Sequence, residues 1–208
     1  MASPAATTPP ASSAPEEFDP LVFWIKYRSQ ILMYLTMLVV ALALYFTYWK
    51  IQQTARENSE AALAGAKTTG DYKKVADEYP KSAAAANALL LLADKLRAEG
   101  KLDESTAALK SFIERFPKHS LISGAYTSLA ANQEAQGKLD DALVSYKKVT
   151  TNYPTSFSAA AAYIAQGRIL DQQGKTEDAR HAYETVMTQF AESPFRDEAM
   201  AMMRKAKK

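Results

Sequence analysis

Three carboxylate pairs, Asp103-Glu104, Asp140-Asp141 and Glu177-Asp178, are the residue types in this chain best suited to chemistry. Two carboxyls flanking a bond can act as general acid and base, as in glycoside hydrolysis. Each pair, however, comes just after a Gly-Lys dipeptide (Gly100-Lys101, Gly137-Lys138, Gly174-Lys175), and the unit recurs every 37 residues. One active site needs such a pair once. A pair repeated at every step reads as helix N-terminal capping and solvated charge. His119 and His181 are the only histidines, lack any ligand spacing and read as surface residues. The chain contains no cysteine, which excludes a thiolate nucleophile, a disulfide, a zinc–thiolate site and a lipidated-cysteine anchor. It contains no phosphate-cradling glycine loop and no nucleophile elbow. These residues point to a non-enzyme without cofactor, metal or small-molecule substrate.

The same 37-residue step carries residues that build structure. It joins Tyr72, Leu109, Tyr146 and Tyr183, and it joins Tyr79-Pro80, Phe116-Pro117, Tyr153-Pro154 and Phe190-Ala191. It also joins Leu89, Tyr126, Tyr163 and Met200. Glycine, aromatic and proline kept together at one long period mark an array of helical hairpins. First helices are expected at 83–98, 121–135 and 157–172, and second helices at 103–115, 140–152 and 177–190. Gly100, Gly137 and Gly174 fall where a left-handed residue closes a helix. Pro117 and Pro154 stop second helices. Ser82, Ser156 and Ser193 are placed to cap the next helix in each case, with Pro194 at the first helical position. Ala88, Ala93, Ala130 and Ala142 allow close helix approach, and the Leu109–Tyr146–Tyr183 column reads as interior packing. A short helix capped by Asp71 and running to Tyr79 precedes the array. A last helix, Pro194 to Lys205, offers Phe195, Ala199, Met200 and Met203 for burial, and Arg204, Lys205, Lys207 and Lys208 form a basic tail.

The whole is 208 residues with 25 basic and 23 acidic side chains, a formal charge of +2 that favours no nucleic acid. Residues 1–15 hold no charged side chain and one large apolar one, the composition of a disordered tail. Between Arg28 and Lys50 lie 21 uncharged residues, SQILMYLTMLVVALALYFTYW. As a helix they are about 31 Å long, the thickness of a hydrocarbon core. Phe23, Trp24 and Tyr27 border one end, and Tyr45, Phe46, Tyr48 and Trp49 the other. The run is too long, and ends in rings too bulky, for a cleaved signal peptide. Two basic residues flank each side, so charge selects no orientation. The expected division is a Pro/Ala/Ser/Thr-rich tail over 1–20, a juxtamembrane segment and transmembrane helix over 21–49, a stalk and partial first repeat over 50–80, and the array with its capping helix over 81–208.

The pattern of Tyr126, Leu129, Ala130, Gly137, Ala142, Tyr146 and Pro154 resembles the tetratricopeptide repeat (TPR), whose consensus period is about 34 residues. The three extra residues fall between the proline and the next apolar site. Tyr79-Pro80-Lys81-Ser82 and Tyr153-Pro154-Thr155-Ser156 are similar to the aromatic–Pro–x–Ser signature of bacterial envelope TPR proteins. The layout, with Tyr45-Phe46-Thr47-Tyr48-Trp49 leading through Ala61-Ala62-Leu63 into the repeats, resembles the YfgM-type proteins, ancillary subunits of the SecYEG translocon. The resemblance implies an all-α fold: a TPR-like α-solenoid of helical hairpins preceded by one transmembrane helix. It implies an inner-membrane, single-pass protein with a cytoplasmic N-terminus and a periplasmic array. Its partners would be SecYEG, periplasmic chaperones or exported chains. The alternative is a structural scaffold for an envelope assembly or cell-division complex. By repeat register the first helices would present a mixed-charge groove of Asn87, Leu90, Asp94, Arg97, Thr127, Glu134, Ile164, Arg168 and Asp171. That groove lacks the Lys/Asn cluster that grips a C-terminal carboxylate.

Overall fold

In the computed structural model the described residues are 19–205, and all their regular structure is helical. The tail expected over 1–15 and the final lysines, Lys207 and Lys208, lie outside them. Two compact units are distinguished, Met1–Thr54 and Ala55–Lys208.

The first unit contains most of α1, Pro20–Gly65. Asp19 caps it, accepting from the backbone N–H of Leu21 at 2.8 Å. This is the one helix among those described that is long and apolar enough to cross a membrane, and none of its apolar stretch is buried against protein. The two threonine hydroxyls of that stretch bond back within the helix. Thr36 donates to the carbonyl of Met33 and Thr47 to that of Ala43, both at 2.8 Å. Neither hydroxyl therefore asks for water.

The second unit is built from hairpins. Helix α2 (Thr69–Glu78) precedes three pairs: α3 (Ala83–Ala98) with α4 (Leu102–Arg115), α5 (Ile122–Ala135) with α6 (Leu139–Asn152), and α7 (Phe157–Gln172) with α8 (Thr176–Gln189). Helix α9 (Arg196–Lys205) ends the series. From α2 to α9 each helix packs on its neighbours in sequence, and the first helices α5 and α7 also meet directly. This is the helical solenoid that the 37-residue step predicts.

Identical turns explain the regular pairing. Gly100, Gly137 and Gly174 have φ of 76°, 75° and 75°. At each one the glycine N–H reaches back to the carbonyl of Arg97, Glu134 or Asp171. The following lysine N–H reaches that of Leu96, Gln133 or Leu170, at 2.8–2.9 Å. These paired bonds satisfy carbonyls that the helix end would leave open. A Cβ at Gly137 would meet nothing within 4 Å, so the site is demanding only in its backbone. Gly137→Val should therefore cost about 1–3 kcal/mol of left-handed strain. Gly137→Asn, a residue that tolerates this conformation, should cost less. Equal thermal midpoints for valine and wild type would contradict the turn geometry.

Several local expectations are corrected. Thr68, not Asp71, caps α2. Its hydroxyl accepts from the Asp71 N–H, and the Asp71 carboxylate accepts from the Thr68 N–H at 2.9 Å, a reciprocal capping box. These bonds hold the Asp71 carboxyl below the usual carboxylate range, with the N–H of Lys67 the largest contributor. The helix accordingly starts at Thr69, two residues before Asp71. Ser82 does cap α3, accepting from the Ala85 N–H at 3.0 Å. Ser156 occupies the same position before α7, but its Oγ makes no cap bond and is buried without a partner. Pro194 lies two residues ahead of α9 rather than at its first position, because the turn after α8 runs on to Phe195.

Two apolar clusters fill the stack. Phe112, Leu109, Leu89 and Leu96 anchor the first, against which Ala62, Leu63 and Ala66 pack. Tyr146, Val149, Ile169, Tyr183 and Val186 anchor the second, closed by Ala199 with Phe195, Met202 and Met203. Close approach is tightest at Gly167, where an added Cβ would lie within 2.6 Å of Tyr183 Cζ.

Candidate functional site

The inner side of α3, α5 and α7 carries two adjoining cavities. The first, of about 250 Å³, lies between α3 and α5. Leu90, Asp94 and Arg97 come from α3, Leu121 from the residue before α5, and Ser128 and Asn132 from α5, over Leu109 of α4. The second, of about 470 Å³, is lined by Arg97, Glu134, Tyr146, Arg168 and Gln172. Arg97 borders both.

The second cavity holds a polar network whose tyrosine–carboxylate pair recurs one repeat later, outside the cavity. The Tyr146 hydroxyl donates to Glu134 Oε2 at 3.1 Å, and Tyr183 donates to Asp171 Oδ2 at 2.9 Å. Arg168 adds a bond and ion pair to Glu134 Oε1 at 3.0 Å. Burial, and then the adjacent carboxylate, pushes both phenols well above their ordinary value. They remain protonated donors, so the carboxylates stay satisfied from within the protein.

Below the first cavity the hydrogen-bond direction is determined. Ser105 donates to the carbonyl of Ala93 at 2.7 Å, so its oxygen can only accept from Asn132 Nδ2, at 2.8 Å. Asn132 Oδ1 is thereby turned away from Ser105, and it is buried with no partner.

The structure places the nine residues expected in the groove unequally. Asp94 and Arg97 are exposed, Leu90 is half-buried, and all three line the first cavity. Glu134 and Arg168 line the second, but as a pair and not as free charges. Asp171 is half-buried and holds Tyr183. Thr127 spends its hydroxyl on the carbonyl of Ser123, and exposed Asn87 lines neither cavity. Ile164 is only 3 % exposed and belongs to the core. It shares a register with Leu90 and Thr127, but the isoleucine packs into the second apolar cluster where those two stay partly exposed.

Asp103 and Asp140 make no cap bond; each instead bridges to the neighbouring repeat. Gln136 Nε2 donates to Asp103 Oδ1 at 3.0 Å and Gln173 Nε2 to Asp140 Oδ1 at 2.9 Å. His119 is edge-on to Phe112 at 5.2 Å, and its Nδ1 accepts from the Leu121 N–H. Among the described residues no cluster of His, Asp and Glu could hold a metal. The Ser105–Asn132 pair is not among the residues the sequence singles out. The registers give half a signal: Ser105 stands where the later repeats hold Ala142 and Ala179, whereas the column of Asn132 holds Lys95 as well as Ile169.

No curated protein matches the chain. Among solved structures, a tetratricopeptide repeat protein from Parabacteroides merdae is 23 % identical with a TM-score of 0.51, covering 58 % of this chain. This chain spans only 45 % of the length of that protein. MamA is 21 % identical with a TM-score of 0.50, over 73 % of this chain and 84 % of its own. Kinesin light chain TPR-like repeats from Podosopora anserina give a TM-score of 0.55 at 15 % identity, over 74 % of this chain and 84 % of theirs. These likenesses establish the fold alone. A family model, the tetratricopeptide repeat-like domain, matches residues 22–204, nearly all of the described chain. With its hairpins, its left-handed glycine turns and that match, the chain belongs to the tetratricopeptide repeat-like domain family.

Proposed function

We propose that this protein is a membrane-anchored docking subunit whose array holds a protein partner, most concretely an accessory subunit or chaperone adaptor at the SecYEG translocon. The observation that carries the docking role is the inner face of α3 and α5. There an apolar cavity opens beside Asp94 and Arg97, which have no hydrogen-bond or ion-pair partner among the described residues. Such a surface offers apolar burial and unsatisfied charge together, which suits an extended or partly unfolded segment. The anchor rests on α1, whose uncharged run 29–49 matches a hydrocarbon core and meets no protein. The translocon assignment rests on the resemblance of the layout to YfgM-type proteins, and on it rest a cytoplasmic N-terminus and a periplasmic array.

Two measurements test this. A photo-crosslinking residue at Asp94 should capture a partner in living membranes, whereas one at Lys110 or Lys147, on second helices, should not. Equal capture at all three positions would remove the groove from the proposal. Purification from gently solubilised membranes should recover SecYEG stoichiometrically. Recovery of cell-wall or outer-membrane machinery in its place would make the protein an envelope scaffold.

A further inference from the structure

We infer that the segment docked between α3 and α5 carries an aliphatic side chain followed, within two residues, by an acidic one. This rests on the docking reading above and specifies its chemistry. The buried members of the first cavity, Ala93, Ser105, Leu109, Ala125 and Asn132, form its floor; the exposed Leu121, Asp94, Arg97 and Ser128 form its rim. A volume of about 250 Å³ floored chiefly by apolar atoms admits an aliphatic side chain. Leu121, half exposed at the mouth, has nothing of its own to cover it and would close over such a side chain.

Charge decides what stands beside it. In the adjoining polar cavity Glu134 is already neutralised by Arg168 and hydrogen-bonded by Tyr146, and Asp171 further along is held by Tyr183. The carboxylates there have little left to offer a basic ligand. Arg97, at the junction of the two cavities, has no carboxylate within ion-pair distance among the described residues. A guanidinium left free between an apolar hole and a saturated polar network is complementary to an acidic side chain. Asp94, one turn earlier on α3, can accept a backbone N–H of the same segment. Asn132 Oδ1 remains a buried acceptor lacking a donor beneath it.

The test uses the full chain in phospholipid nanodiscs. It is applied to an array of N-acetylated nine-residue peptides, Ser-Gly-Ser-X-Gly-Z-Ser-Gly-Ser, with X and Z varied over all residues. Retention should peak with Leu, Ile or Met at X and Asp or Glu at Z, about tenfold above the same peptides with Lys at Z. Arg97→Glu should invert the preference at Z to Lys and Arg. Ser128→Trp, an exposed position, should block the rim and abolish selection at X while the helical melt is retained. An array flat in Z, or unchanged by Arg97→Glu, overturns the acidic requirement. Cross-links at Asp94 together with a flat array would overturn this chemistry and leave the docking role standing. Absence of both removes the docking role and this inference with it.

Discussion

Replacing Tyr183 by alanine should lower stability by about 3–5 kcal/mol, the usual cost of truncating a fully buried ring. Tyr183 is 0 % exposed, its ring lies against the backbone at Gly167, and its hydroxyl satisfies Asp171. Truncation opens a cavity between α7 and α8 and leaves a half-buried carboxylate without its donor. For an array of this size each kcal/mol moves the midpoint by roughly 2–4 °C, so the melt should shift by about 6–20 °C. Because repeats couple mainly to their neighbours, the loss should appear as early melting of α7, α8 and α9. Tyr183→Phe keeps the ring and removes one hydrogen bond, and should cost about 1 kcal/mol. Gly167→Ala should fall between, at about 1–3 kcal/mol. Its Cβ would overlap the Tyr183 ring, yet the preceding repeat accommodates Ala130 at the register of Gly167 and Tyr146 at that of Tyr183. A midpoint unmoved by Tyr183→Ala would mean that the ring does not hold this pair together.

The second large effect is all-or-none. The protein has no native cysteine, so a single one introduced at Ser13 or at Lys118 reports its own side of the membrane. Lys118 is exposed in the turn between α4 and α5. In intact spheroplasts a membrane-impermeant maleimide should label position 118 and leave position 13 unlabelled. The flanking charges are balanced, and long domains translocate largely regardless of charge, so the expectation comes from the resemblance to translocon subunits. The reverse labelling would put the repeats in the cytoplasm and end the translocon reading.

The hairpins are legible in the sequence because each depends on local chemistry repeated in register. A glycine that must be left-handed, a proline that stops a helix and an aromatic that fills one gap each leave a mark at a fixed step. The step does not convey how neighbouring columns differ. Ile164 reads as a groove residue by analogy with Leu90, but its side chain is buried in the second apolar cluster. Arg168 reads as a free charge, because its partner Glu134 lies 34 residues away on another helix. Gly167 stands in a register otherwise held by Ala93 and Ala130, and only the ring of Tyr183 gives that difference a meaning. Asp103 and Asp140 read as caps from their position near helix starts. The amides they bind belong to the next repeat, and a one-repeat reading cannot see across that boundary.

Those last bonds bear on mechanics. Gln136–Asp103 and Gln173–Asp140 bridge successive hairpin turns along one edge of the array, while the buried rings hold the middle of each pair. Each exposed bridge is worth about 1 kcal/mol or less, little more than thermal energy. A bend that spreads the turns would therefore strain weak edge bridges long before it parts the core. Such a construction resembles a leaf spring, with its cohesion in the middle and its weakest links at the margin. Loss of those bridges would let successive hairpins tilt by small angles while the buried rings stay in contact.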